Sequence, residues 1–152
     1  MNTRNRPRRI LLSLFLALTC PACGLQQDIS FDEPEAVSPE GASVVVAWDG
    51  NEAEVFLTDL DPITVEGRSV YPLWDILLAA GLEEEEVQSM CFDFEADDGF
   101  RPSSVGCEPL EGEDLALGYL DPDGMALVWD STLGLRGCYW VNRIVRILGE
   151  PA

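Results

Sequence analysis

The chain has 152 residues, 47% of them hydrophobic, which suits one domain with a real core plus extras. Its 28 acids face nine Arg, with no Lys and no His, for a formal net charge of −19. A field that negative repels nucleic acid and anionic lipid headgroups, and the lack of His removes imidazole catalysis and imidazole metal ligation.

The charge is unevenly placed. Arg4, Arg6, Arg8 and Arg9 fall in the first nine residues, and no acid precedes Asp28. Ile10 to Leu18 is an apolar stretch too short to span a bilayer, and Cys20-Pro21-Ala22-Cys23-Gly24 follows it. A cysteine directly after such a stretch resembles a bacterial lipoprotein signal. The resemblance implies that residues 1–22 are removed and that Cys23, flanked by small Ala22 and Gly24, becomes the lipidated first residue. Cys20 is the other candidate, and an ordinary cleaved signal peptide is the alternative. Residues 23–42 are acidic, hold Pro34, Pro39 and Gly41, and bury too little to offset ordering entropy, so they read as a disordered tether. Without the leader, five Arg face 28 acids, a net −23 that favours a soluble monomer.

The folded domain is expected over 43–150. Val44 to Trp48 suits a strand, Asp49-Gly50-Asn51 a turn and Glu54 to Thr58 a second arm, which together make a hairpin. Leu60-Asp61-Pro62 breaks the pattern. A short extended piece then leads to Pro72, after which Leu73, Ile76, Leu77 and Ala80 fall on one helical face and Gly81 suits the C-terminal cap. Glu83 to Glu86 suits the first turn of another helix, where carboxylates favour the dipole. From Met90 the period becomes two: Met90, Phe92 and Phe94 point one way, Cys91, Asp93 and Glu95 the other. Asp97-Asp98-Gly99 reads as a tight turn and Pro102 to Pro109 as a loop. Leu110 to Leu120 reads as a weak acidic helix despite Gly112 and Gly118. Met125 to Trp129 and Tyr139 to Leu148 read as strands, the latter carrying Arg143 and Arg146.

This order of segments is similar to the sulfite-oxidase-like molybdopterin-binding domain. The residues that carry the likeness are Leu60-x-Pro62-x-Thr64-Val65-x-Gly67, then Val70-x-Pro72-Leu73, then Leu77-x-x-Ala80-Gly81-Leu82. The alternating strand ending in Asp98-Gly99-Phe100 and the closing segment Met125 to Ile147 add to it. The resemblance covers about two thirds of the chain and implies a single compact, β-rich α+β domain with one or two short helices. It also implies a molybdenum cofactor held by a cysteine thiolate and by Arg, His and Lys. No Cys lies between Cys23 and Cys91, and the only basic residues past the leader are Arg68, Arg101, Arg136, Arg143 and Arg146. The expectation is therefore the scaffold without the cofactor, with no catalytic and no metal residue.

The remaining constellations are weaker. Asp93-x-Glu95-x-Asp97 opens like a calcium loop, but Asp98 stands where Gly is needed and Ser104 where a bidentate Glu is needed, so a solvated strand face is expected. Trp48, Trp74, Trp129 and Trp140 read as core and rim rather than as a stacking platform for sugars. Of the three domain cysteines, Cys91 in its alternating strand suits a small buried side chain. Cys107 and Cys138 each follow a Gly in loops that flank the closing strands, and are the expected disulfide. Cys91 with Cys107 is the runner-up, on the premise of a hairpin turning at Asp97–Gly99.

Together these readings describe an envelope-tethered lipoprotein. Its membrane partner is reached through the lipid at Cys23, and its non-catalytic domain is a binding or accessory module facing the periplasm or the exterior. The alternatives are a molybdopterin-dependent oxidoreductase and an acidic divalent-cation binder.

Overall fold

A computed structural model describes residues 41–152; the expected lipidation site Cys23, its alternative Cys20, the expected leader over 1–22 and the expected tether up to residue 40 lie outside them. Two hairpins are set by paired left-handed residues. Asp49 (φ 43°) and Gly50 (φ 78°) turn β1 (Ser43–Trp48) into β2 (Asn51–Phe56). Glu66 (φ 50°) and Gly67 (φ 80°) turn β3 (Ile63–Val65) into β4 (Arg68–Pro72). A two-residue loop with both φ positive has the twist that two antiparallel strands need.

Helix α1 (Leu73–Ala80) starts directly after Pro72 and stops at Gly81, whose φ of 110° lets its N–H reach Leu78 O while Leu82 N–H reaches Leu77 O. Its Leu73, Ile76 and Leu77 are fully buried. Helix α2 (Glu84–Gln88) is short and acidic, and is opened by a capping box in which Glu83 N–H donates to Glu86 Oε2 at 2.8 Å. It leads into β5 (Met90–Ala96), whose burial alternates strictly, with Met90, Phe92, Phe94 and Ala96 inward.

The remaining strands are β6 (Leu110–Glu111), β7 (Gly118–Asp121), β8 (Ala126–Trp129) and β9 (Ile144–Pro151). They complete a five-stranded sheet in the order β2-β1-β9-β5-β6 and a four-stranded sheet in the order β3-β4-β7-β8. Only β1 and β9 run parallel, with Val46 beside Ile147; every other pair is antiparallel. The domain is thus β-rich α+β, with two sheets and few short helices.

One core serves all of it. Val44 and Val46 of β1, Phe92 and Phe94 of β5, Ile144 and Ile147 of β9 and the three α1 residues join Leu120 and Trp129 from the second sheet. Each such side chain contributes on the order of 1.5–3 kcal/mol by leaving water. Phe94 and Trp129 meet edge to face, with ring centroids 5.7 Å apart and an interplanar angle of 71°, the arrangement the ring quadrupoles favour.

Three expectations need correction. Leu110 to Leu120 is not a helix but β6, a 3-10 segment Gly112–Leu117 and β7. The last strand begins at Ile144 rather than Tyr139, after a 3-10 turn Gly137–Tyr139. The second arm of the first hairpin ends at Phe56, and Leu57–Asp59 forms a 3-10 turn.

The two glycines that argued against a helix act through close packing. A Cβ at Gly118 would strike the Trp129 ring and the Leu73 side chain, and one at Gly112 would overlap the backbone carbonyl of Val87. Backbone cannot yield as a flexible side chain can. Gly112→Ala is therefore expected to destabilise the domain by roughly 1–3 kcal/mol or more, as overpacking does, read as a lower midpoint in urea unfolding at unchanged slope. An unchanged midpoint would contradict the packing described.

Candidate functional site

The chain leaves β5 through a turn that does not become a hairpin. Gly99 (φ 83°) sends its N–H back to Ala96 O at 2.9 Å, and Phe100 N–H donates to Asp98 Oδ1 at 3.0 Å. The next segment folds back along the outward face of β5. Arg101 meets Glu95, its Nε donating at 2.6 Å, and Ser103 Oγ donates to Asp93. Two clefts adjoin this segment, one lined in part by Phe100 and the other by Arg101 and Ser103.

The smaller, about 100 Å³, is lined by Cys91, Asp93, Arg101, Ser103, Pro109, Leu148 and Glu150. Cys91 lies on the outward face of β5, opposite Glu150 and Glu111, and is half-buried rather than buried as expected. It is the free thiol among the described residues. Cys107 and Cys138 are bonded to each other, with sulfurs 2.03 Å apart and Cα atoms 6.7 Å apart. The premise of the Cys91–Cys107 alternative fails, because β5 pairs with β9 and β6 rather than with the segment just past the Asp97–Gly99 turn.

The larger cleft, about 260 Å³ and open to solvent, is lined by Ala96, Asp98, Phe100, Trp140, Val141, Asn142 and Arg143. Its wall is the segment between the Gly137–Tyr139 turn and β9, and that segment is held at several points. The Cys107–Cys138 bond ties its start. The Trp129 indole N–H donates to Tyr139 O at 2.7 Å, and Tyr139 Oη donates to Glu108 O at 2.6 Å. Val141 O accepts from Leu127 N–H at 2.8 Å. Arg143 stands at φ 56°, a left-handed position that costs a non-glycine residue about 1 kcal/mol or more. Its N–H reaches Gly124 O and its carbonyl accepts from Asp97 N–H, both at 2.9 Å, so the surrounding backbone imposes that conformation.

On this rigid wall sits an exposed aromatic. Trp48 and Trp74 are half-buried and Trp129 is in the core, but Trp140 is 53% exposed. Of the four expected in core and rim, Trp140 is thus the outermost. The Asn142 side chain makes no hydrogen bond to any described residue. Arg143 lies 3.2 Å from Asp97 Oδ1 and 3.5 Å from Asp98 Oδ2, exposed pairs worth about 0–1 kcal/mol each.

The acidic run expected as a solvated strand face is split. Glu95 pairs with Arg101, Asp97 and Asp98 with Arg143, and Asp93 keeps Oδ1 buried without a partner among the described residues. No group of three or more His, Cys, Asp or Glu among the described residues is placed to hold a metal. From Gly41 onward five Arg face 23 acids, since five of the 28 acids come earlier. Four of those Arg are paired: Arg68 with Asp121, Arg101 with Glu95, Arg143 with Asp97 and Asp98, and Arg146 with Glu52.

Two groups are shifted by local causes. The Thr132 hydroxyl and then its amide both donate to Asp130, holding that carboxyl below its ordinary value. Burial, and then the nearby Glu108 carboxylate, raise the Tyr139 hydroxyl above its ordinary 10.0.

Comparison with known proteins finds no matching family model, no matching curated protein and no matching solved structure.

The disulfide closes a loop with a sequence separation of 31, so Cys107→Ser with Cys138→Ser is expected to lower stability by roughly 3–4 kcal/mol by the chain-entropy estimate. Urea titration with and without reductant checks this; a wild-type midpoint insensitive to reductant would contradict it. Tyr139 supplies a pH signature. A raised folded pKa stabilises fully below the unfolded value and is lost as pH climbs through the folded one. The wild type should lead Tyr139→Phe by about 1 kcal/mol at neutral pH, the worth of the bond to Glu108 O. That lead should shrink once pH passes 10.0. Melting curves across alkaline pH would show it.

Proposed function

We propose that this chain is a lipoprotein anchored through Cys23 in the bacterial cell envelope, and that its domain is a non-catalytic binding or accessory module on a sulfite-oxidase-like scaffold. The observation that carries the binding role is the open cleft beside Trp140. An exposed tryptophan on a backbone locked by a disulfide and five hydrogen bonds is a pre-organised contact surface. The scaffold reading is supported by the order of strand, helix, alternating strand and Asp98-Gly99-Phe100 turn, and that turn forms one side of the cleft.

The residues present do not fit a molybdopterin. Its phosphate is dianionic and needs donors and positive potential. Four of five Arg already face carboxylates, and the acids outnumber the Arg 23 to five. A thiolate ligand is no better supplied: Cys107 and Cys138 are joined, and Cys91 shares its cleft with Asp93 and Glu150. The fold thus parts from the chemistry of the family it resembles.

The test uses full-length protein purified from its own envelope. Mass spectrometry of the mature N-terminus should find an acyl mass on Cys23, and elemental and pterin analysis should find no stoichiometric molybdenum or pterin. A free amine with no acyl mass would overturn the anchor, and a bound pterin would overturn the non-catalytic reading.

A further inference from the structure

We propose that the Trp140 cleft takes a neutral carbohydrate chain; this rests on the reading of the domain as a binding module. Charge disfavours an anion, and the hydrogen-bonding groups lining the cleft narrow the rest. The long-range field disfavours an anion, because 23 acids surround five Arg in the described domain. The same field favours a cation, but the cleft lining offers it one carboxylate, Asp98, whose Oδ2 already lies 3.5 Å from Arg143 Nη2. A neutral ligand meets no repulsion and needs no free charge in the lining.

The lining then specifies what kind of neutral ligand. Asn142 offers a donor pair and an acceptor that no described residue takes, Arg143 offers guanidinium N–H groups, and Asp98 offers carboxylate oxygens. Such a mixed set matches hydroxyl groups, each of which donates and accepts at once. Trp140, 53% exposed beside half-buried Phe100, adds an aromatic face to an otherwise polar cleft. The apolar C–H face of a pyranose ring covers an indole while its hydroxyls reach polar neighbours, and an open cleft admits an inner stretch of a chain rather than only its end.

The rigidity of the wall fits this use. Sugars bring little apolar area, so a site that had to order itself on binding would lose most of its affinity to entropy. Here Arg143 is held left-handed by hydrogen bonds on both sides, and the Cys107–Cys138 bond lies two residues before Trp140.

The experiment titrates full-length protein, in a detergent without a sugar headgroup, with maltohexaose, cellohexaose and chitohexaose, following tryptophan emission and calorimetric heat. At least one should bind at a single site, with little dependence on salt. Trp140→Ala should weaken that binding at least about tenfold, the worth of a stacked aromatic face. Asn142→Ala should weaken it without changing the melting temperature. Trp140 is largely outside the core, so its variant should also melt like the wild type, which separates lost binding from lost fold. No response to any of the three sugars, or equal binding by Trp140→Ala, overturns the proposal. Hexa-arginine is the control: a salt-screened response lost in Trp140→Ala would overturn the carbohydrate assignment while leaving the binding module intact. A bound pterin would instead remove the module reading itself.

Discussion

The pairing of β9 with β1 on one side and β5 on the other holds the molecule together. β9 lies at the middle of the five-stranded sheet, parallel to the first strand of the domain and antiparallel to the strand between them in sequence. Its Ile144 and Ile147 sit among Val44, Val46, Phe92 and Phe94, so no inner part of that core is complete without it. Gly149 shows how closely the strands approach: a Cβ there would crowd the Phe92 ring and Trp48. Close fit of this kind makes an interior sensitive to a single methyl group.

The cleft is a by-product of how the chain reaches that central strand. Between β8 and β9 it must cross from one sheet to the other, and it does so on anchors rather than on regular structure. The Trp129 indole serves twice, packing its ring on Phe94 and holding Tyr139 O with its N–H. A buried indole N–H needs a partner, and here the partner is the backbone of the crossing segment. Core packing and the position of Trp140 are thereby linked through one side chain.

What the amino-acid sequence conveyed depended on local or long-range causes. Strict alternation from Met90 to Ala96, the Gly81 cap and the Asp49-Gly50 hairpin are decided within a few residues, and all three were legible. The Glu66-Gly67 hairpin carries the same kind of signal, but β3 has only three residues in which to show an alternation. Leu110 to Leu120 misled because Leu and Glu favour helix, whereas Gly112 and Gly118 are dictated by Val87, Trp129 and Leu73, which are distant in sequence. For the site, loops bearing Cys107 and Cys138 could be picked out, but the exposure of Trp140 could not. Tyr139 to Leu148 is β-branched and aromatic enough to read as one strand, and only the polar Asn142-Arg143 pair hinted at a break. The left-handed Arg143 is imposed by Gly124 and Asp97, and no local rule anticipates it.

A central strand that follows every other strand of its sheet in the chain has a consequence for biogenesis. β5 ends at Ala96 and its neighbour β9 at Pro151, so β9 is complete only some 55 residues after β5. At about 5–20 residues per second a ribosome needs roughly 3–11 s to make that interval. Throughout it Phe92 and Phe94 have no neighbouring strand on the β9 side. A nascent chain in that state is a natural client for a holding chaperone, and one delivered through a membrane pore unfolded would complete its sheet only after the last strand had passed.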